Sequence, residues 1–184
     1  MFERNLAAAL TNAVDLVNTH ARGKEKLTDA AFLDEFLTAH DFSGQHASSE
    51  AELAEVLALR SQIRAGWNSP PRTELAALAN QLLQESDARP RLIHSDDLGW
   101  RLEVTNSDQP LRQRIAAQAG MALAEVIRLN QPSRMRTCAS EDCDAVLIDL
   151  SRNQSRIYCD TDNCRNRTHV AAYRARGAAR NSTP

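Results

Sequence analysis

Through most of the first 130 positions apolar residues recur at steps of three and four, the period of helices that bury one face. Leu6, Leu10, Ala13, Val14 and Val17 fall on one side of a helix over residues 3–19, and Gly23 lies just past its end. Thr28 is placed to cap a second helix that buries Phe32, Leu33, Phe36 and Leu37. Ser49 followed by Glu52 predicts a capping box for a third, whose stripe runs Leu53, Val56, Leu57, Ile63 and Trp67. After the Pro70–Pro71 break, Leu75, Leu78, Ala79, Leu82 and Leu83 give a fourth.

The period changes between residues 90 and 106. Arg91 to His94 and Trp100 to Thr105 are short strand candidates, the second alternating Trp100, Leu102 and Val104, with Ser95, Asp96, Asp97 and Gly99 as the turn. Asp108 and Pro110 then open a long helix to Asn130, with Ile115, Ala119, Ala122, Leu123, Val126 and Ile127 facing inward. Beyond Pro132, Ala145 to Leu150 reads as a strand, Ser151 to Gln154 as a turn and Ser155 to Tyr158 as the returning strand. The expected architecture is mainly α. A helical domain with one small β-hairpin, residues 1–131, precedes a small module over 134–180 built from a knuckle, a hairpin and a C-terminal helix.

Composition sharpens this picture at one place. The chain of 184 residues is 42% apolar and 25% charged, a globular balance, and its net charge is −2. That charge is uneven: residues 134–184 hold nine arginines against six acids, and residues 165–184 hold five arginines and no acid. A mildly acidic body with a basic tip suits contact with an acidic polymer. No apolar run reaches the roughly 18 residues of a membrane span, and Met1 to Ala9 carries Glu3 and Arg4 without a cleavable apolar block, so a cytoplasmic protein is expected.

All four cysteines lie in the last quarter, as Cys138, Cys143, Cys159 and Cys164, with four residues inside each pair and fifteen between the pairs. In an oxidising compartment they would form two disulfides in one of three pairings. In a reducing one, two short loops separated by a hairpin bring four thiolates onto one metal ion. Four sulfurs leave no position for water, so such a site is structural; zinc is the default metal, with iron of the same ligand set as the alternative. Size supports the metal. A segment scarcely longer than the roughly 40 residues below which chains seldom fold unaided has little to bury besides Val146, Leu147, Ile148, Leu150 and Ile157.

After Cys164 the stretch RNRTHVAAYRAR predicts a helix up to Gly177. At 100° per residue Arg165, His169, Tyr173 and Arg176 share one face, and Arg167 and Arg174 lie on the other side with Val170 and Ala171. Arginine forks to phosphate or guanine, Asn166 can pair with bases or backbone, and Tyr173 can stack; Arg152 and Arg156 on the hairpin extend the patch. The competing assignment pairs Arg165 or Arg167 with Asp160 and Asp162.

The segments RTCASEDC, IDLSRNQSRIYC and CRNRTHVAAYRAR resemble the CGNR-type zinc finger of bacteria, in which the last cysteine opens the sequence Cys-Gly-Asn-Arg. Cys164, Asn166 and Arg167 match that motif and Arg165 stands in place of the glycine. AVDLVNT at residues 13–19 and LTD at 27–29 are similar to the opening of the ABATE domain, which usually precedes this finger. The resemblance implies a stress-induced transcriptional regulator, its finger the DNA-binding part and its front domain a sensor.

An enzyme is not expected: there is no phosphate loop, nucleophile motif or carboxylate pair with evident roles, and His20, His40, His46 and His94 lack ligand spacing. Asp15 and Asn18, polar beside Leu16 and Val17, are candidates to line an effector pocket; otherwise such residues face solvent or cap a neighbour. The leading expectation is therefore a zinc-containing, DNA-binding regulator whose front domain binds a small molecule or dimerises. Because one finger offers few base contacts, a homodimer would supply specificity. The alternative is a zinc-stabilised protein-interaction module, or an effector-binding protein without nucleic acid.

Overall fold

A computed structural model describes residues 4–40, 42, 44–68, 70–95 and 99–181, with the side chains of Arg4, Ser95, Arg101, Ala172 and residues 175–181 outside the description. Helix α1 (Arg4–Val17) runs into a tight hairpin of β1 (His20–Ala21) and β2 (Lys24–Glu25), followed by α2 (Ala30–Ala39) and α3 (Glu50–Arg64). A 3-10 turn (Ala65–Trp67) leads to α4 (Arg72–Glu85), then β3 (Arg91–Ser95), β4 (Gly99–Glu103) and the long α5 (Leu111–Arg128). Strands β5 (Met135–Thr137) and β6 (Val146–Ile148) and helix α6 (Cys164–Asn181) complete the chain.

Local chemistry accounts for the helix starts, with two departures from expectation. The cap of α2 is Asp29 rather than Thr28: its Oδ1 accepts from the N–H groups of Ala31 and Phe32, at 2.9 and 3.1 Å. This setting leaves Phe32 exposed while Leu33 and Leu37 are buried. Ser49 caps α3 as expected by accepting from Glu52 N–H, but the Glu52 carboxylate reaches back to the N–H groups of Ala47 and Ser48 instead of closing the box on Ser49.

Helices α4 and α5 pack most closely, and Gly120 permits it. A Cβ there would meet Leu83 Cγ at 3.0 Å and the Ala79 carbonyl at 3.1 Å. The buried stripe of α3 is Leu53, Val56, Leu59 and Ile63, with Leu57 only partly covered, and it meets Leu10, Leu16 and Val17 of α1 and Leu123 of α5 in one core. The β3–β4 hairpin forms in the expected place, with His94 opposite Trp100 and Arg91 opposite Glu103. Its expected turn at Asp96 and Asp97 lies outside the described residues. Only Val104 of its apolar alternation is buried; Trp100 is 71% and Leu92 68% exposed, so this hairpin points its apolar side outward.

The cysteine segment is not laid beside this core but built into it. Met135, Val146 and Ile148 belong to the helical core, whereas Leu147 belongs to a second cluster with the four cysteines, Ala145 and, from the front hairpin, Ala21. Side chains alternate across a strand, so β6 presents residues 146 and 148 to the helices and residue 147 to the sulfurs. All three are buried.

The expected pairing of β6 with Ser155–Tyr158 is replaced by pairing with β5, in register Met135↔Ile148 and Thr137↔Val146. The reason lies in Asp149, which is fully buried: its carboxylate accepts from Ser151 N–H and Arg156 N–H, both at 2.9 Å, and turns the chain away from β6. Arg136 then donates to the carbonyls of Gln154 and Arg156, at 3.0 Å each, satisfying acceptors that a ladder would have used.

Candidate metal centre and basic helix

Two loops deliver the thiols. After β5, Cys138 N–H donates to the Ala145 carbonyl at 2.8 Å and Cys143 N–H to the Ser140 carbonyl at 3.0 Å, forming a knuckle. Cys159 comes from the irregular return, where its N–H points at Cys138 Sγ, 3.5 Å away. Asn163, at φ 51°, turns the chain in the left-handed region so that Cys164 opens α6. Unlike the expected stop at Gly177, α6 continues to Asn181.

The sulfurs are free, buried and mutually close: all four lie within 4.8 Å of one another, with Cys143–Cys159 at 3.7 Å and Cys159–Cys164 at 3.6 Å. Four thiolates about 2.3 Å from a tetrahedral zinc would stand about 3.8 Å apart. The donor set and its spacing fit one such ion, and no disulfide forms. Burial pushes the Cys143 and Cys164 thiols up. Burial also raises Cys159, but the Thr161 N–H and the neighbouring thiols outweigh it and hold this group below its usual range. Thiols held together out of water bind a divalent cation in exchange for their protons.

An ion network ties this centre to the front of the chain. Arg22, left-handed at φ 55°, pairs with Asp142 at 2.9 Å and with Asp162, and its N–H donates to Asp144 Oδ1 at 2.6 Å. Arg167 pairs with the same two acids, at 2.6 and 2.9 Å, and its guanidinium lies 3.9 Å from Cys164 Sγ. The Ser140 hydroxyl, followed by these arginines, keeps the Asp142 carboxyl below the usual range. Arg22 carries no spacing signal, because its partners lie more than a hundred residues away. Arg167 is thus held beside Cys164 at the base of α6; of the two acids in the competing assignment, Asp160 and Asp162, it takes Asp162, and Asp142 is its other partner.

The other candidate contacts divide in two. Arg165, Asn166, His169, Tyr173 and Arg174 are exposed on α6, Tyr173 by 73%, and Arg152 is exposed on the loop. Asn166, Val170, Ala171 and Arg174 border a shallow groove along the helix. Arg156 instead pairs with Asp160, and Arg134 and Arg136 are occupied in bonding the carbonyls of residues 149–156. The side chain of Arg176 lies outside the described residues.

Of the two front-domain candidates, Asn18 is spent on structure. Its amide donates to the Val146 carbonyl and accepts from the Val146 N–H, both at 2.8 Å, the exchange a β-ladder rung would make. Asp15 lines a cleft between α1, α2 and the cysteine segment.

Two family models match this chain. Residues 134–177 match the CGNR zinc finger, which agrees with four clustered cysteines able to hold one zinc ion. Residues 11–128 match ABATE, described as "Putative stress-induced transcription regulator", and this match alone covers more than half of the chain. No curated protein matches it. No helix among the described residues is long and apolar enough to cross a membrane. With its buried thiol cluster opening a basic helix behind a helical body, the chain belongs to the ABATE family and carries a CGNR zinc finger at its C-terminal side.

Proposed function

We propose that this protein is a cytoplasmic, DNA-binding transcription regulator without enzymatic activity, in which residues 134–180 contact DNA and residues 1–131 sense a small molecule or dimerise. One observation carries the DNA reading. The acids around the base of α6 are already neutralised, Asp142 and Asp162 by Arg22 and Arg167 and Asp160 by Arg156, while Arg165, Asn166, His169, Tyr173 and Arg174 project from a helix that has no acid of its own. Such a helix meets a phosphate backbone without like-charge opposition. Arg152, exposed on its loop, and Arg176, by sequence, are the further candidates. Fluorescence anisotropy with duplex genomic fragments tests it: the Arg165→Ala, Arg174→Ala double variant should bind more weakly and lose about two units of the log affinity against log salt slope. Equal affinity and slope in the two proteins would refute the DNA reading.

The outward hairpin favours a protein contact in addition. Leu92, Trp100 and Leu102 expose apolar surface on one small element, as dimer contacts do. Two fingers would then double the base contacts available. Sedimentation of the Trp100→Ser variant beside the parent protein tests this reading, which predicts a shift from dimer to monomer.

A further inference from the structure

The seam between the helical body and the zinc module is closed by Asn18 on Val146 and by Trp67 on Leu147, but toward α2 it opens into a cleft of about 290 Å³. Its walls come from both halves of the molecule: Asp15, Lys26 and Phe36, with His40, from the body, and Arg156, Asp160 and Thr161 from the module. From these walls we propose that the cleft binds a small zwitterion of α-amino-acid size, its ammonium on Asp15 and its carboxylate on Lys26. This deepens the sensing half of the function proposed above and rests on it.

Three features lead there. The Asp15 side chain is more than half covered, yet among the described residues no hydrogen bond reaches it; the ring Nδ1 of His40 stands 3.7 Å away, beyond bonding distance. Burial, joined by the Asp160 charge, pushes this carboxyl up, against the opposing pull of His40, Lys26 and Arg156. A partly desolvated acceptor without a donor is satisfied by an ammonium, which brings three.

Lys26 lines the same cleft, as do Arg156 and the Asp160 it pairs with, so Lys26 offers a zwitterion a second contact that a plain amine lacks. Phe36, tilted against the His40 ring at a centroid distance of 4.3 Å, adds an apolar wall for a side chain. Size fits the class, because ligand cavities run from about 300 Å³ upward and this one, at the lower limit, suits an amino acid. Arg156 and Thr161 flank the metal ligand Cys159, so an occupant touching both walls would clamp the finger to the body.

The test uses the full-length, zinc-loaded chain and thermal unfolding with each of the free L-amino acids at millimolar concentration. At least one should raise the Tm by several degrees, and its N-acetyl and methyl ester forms should not. Asp15→Asn, which keeps shape and removes charge, should abolish that shift, as should the exposed Lys26→Ala if the first variant folds poorly. The proposal is overturned if no free amino acid shifts the Tm, if the capped forms act equally, or if the shift survives in a folded variant. DNA affinity without added amino acid is measured alongside, so loss of the DNA reading and loss of this one give different results.

Discussion

The side-chain amide of Asn18 and the backbone of Val146, 128 residues apart in sequence, exchange two hydrogen bonds of 2.8 Å in a buried setting. The front domain thereby supplies one rung of the strand whose other edge is paired to β5. An appended finger would fold or unfold on its own. This one shares its strand with the domain before it.

Replacing Asn18 with Ala leaves the N–H and carbonyl of Val146 buried without partners, and we expect a loss of about 2–4 kcal/mol in urea unfolding. Asn18→Asp, which keeps the acceptor and removes the donor, should also be destabilising. A cost below about 0.5 kcal/mol for the alanine variant would mean that the two bonds do not carry the seam.

Arg165 and Arg167, two positions apart on α6, should separate cleanly. Arg167 is bound to Asp142 and Asp162 beside Cys164, so Arg167→Ala should weaken zinc retention about 10–100-fold in competition with a chromogenic chelator. Arg22→Ala should act in the same direction through the same acids. Arg165→Ala should leave zinc retention unchanged and weaken DNA binding. The reverse pattern would exchange the two roles.

Asp149 replaces a strand pairing with its own carboxylate. Asp149→Asn keeps the shape but weakens the acceptor, and should cost about 1–3 kcal/mol at neutral pH. Burial raises this carboxyl, but the bonds from Ser151 and Arg156 and the Arg136 charge hold it below its ordinary value when folded. The ionised form is therefore the one that folding favours. Its contribution is fully present above the unfolded value of about 3.9 and is lost as the pH falls through the folded value. The stability gap between parent and variant should be level from pH 8 to 5 and narrow below about pH 4; a gap that widens toward acid would contradict this assignment.

The helices were legible because amphipathic period is a local property, and the thiol cluster because its spacing is. Nothing local marks Trp67 as the donor to the Leu147 carbonyl, 80 residues on, although its place at the end of the third apolar stripe foretold its burial. The return over residues 155–158 looked like a strand by composition, but a single buried carboxylate and the Arg136 fork took the bonds a ladder needs. Arg22 carries no local signal of what it does. Its role depends on acids that only the fold brings near.

Trp67 also reports on the metal. Its indole N–H donates at 2.9 Å to β6, whose next layer is the sulfur cluster. In a Trp100→Phe background, chelation under reducing conditions should shift Trp67 emission to the red and lower the Tm of the helical body, because Val146 and Ile148 leave the shared core. An unchanged Trp67 signal would show the two parts to be uncoupled.

Zinc, fold and nucleic-acid contact come together in one titration. The reduced protein, carrying one zinc per chain by native mass spectrometry, is added to labelled genomic duplex before chelation, after chelation and after zinc is restored. Binding should vanish with the metal and return with it. Binding that persists in the stripped protein, or that is absent throughout at low salt, would mean that the cysteine cluster does not hold α6 in place for DNA.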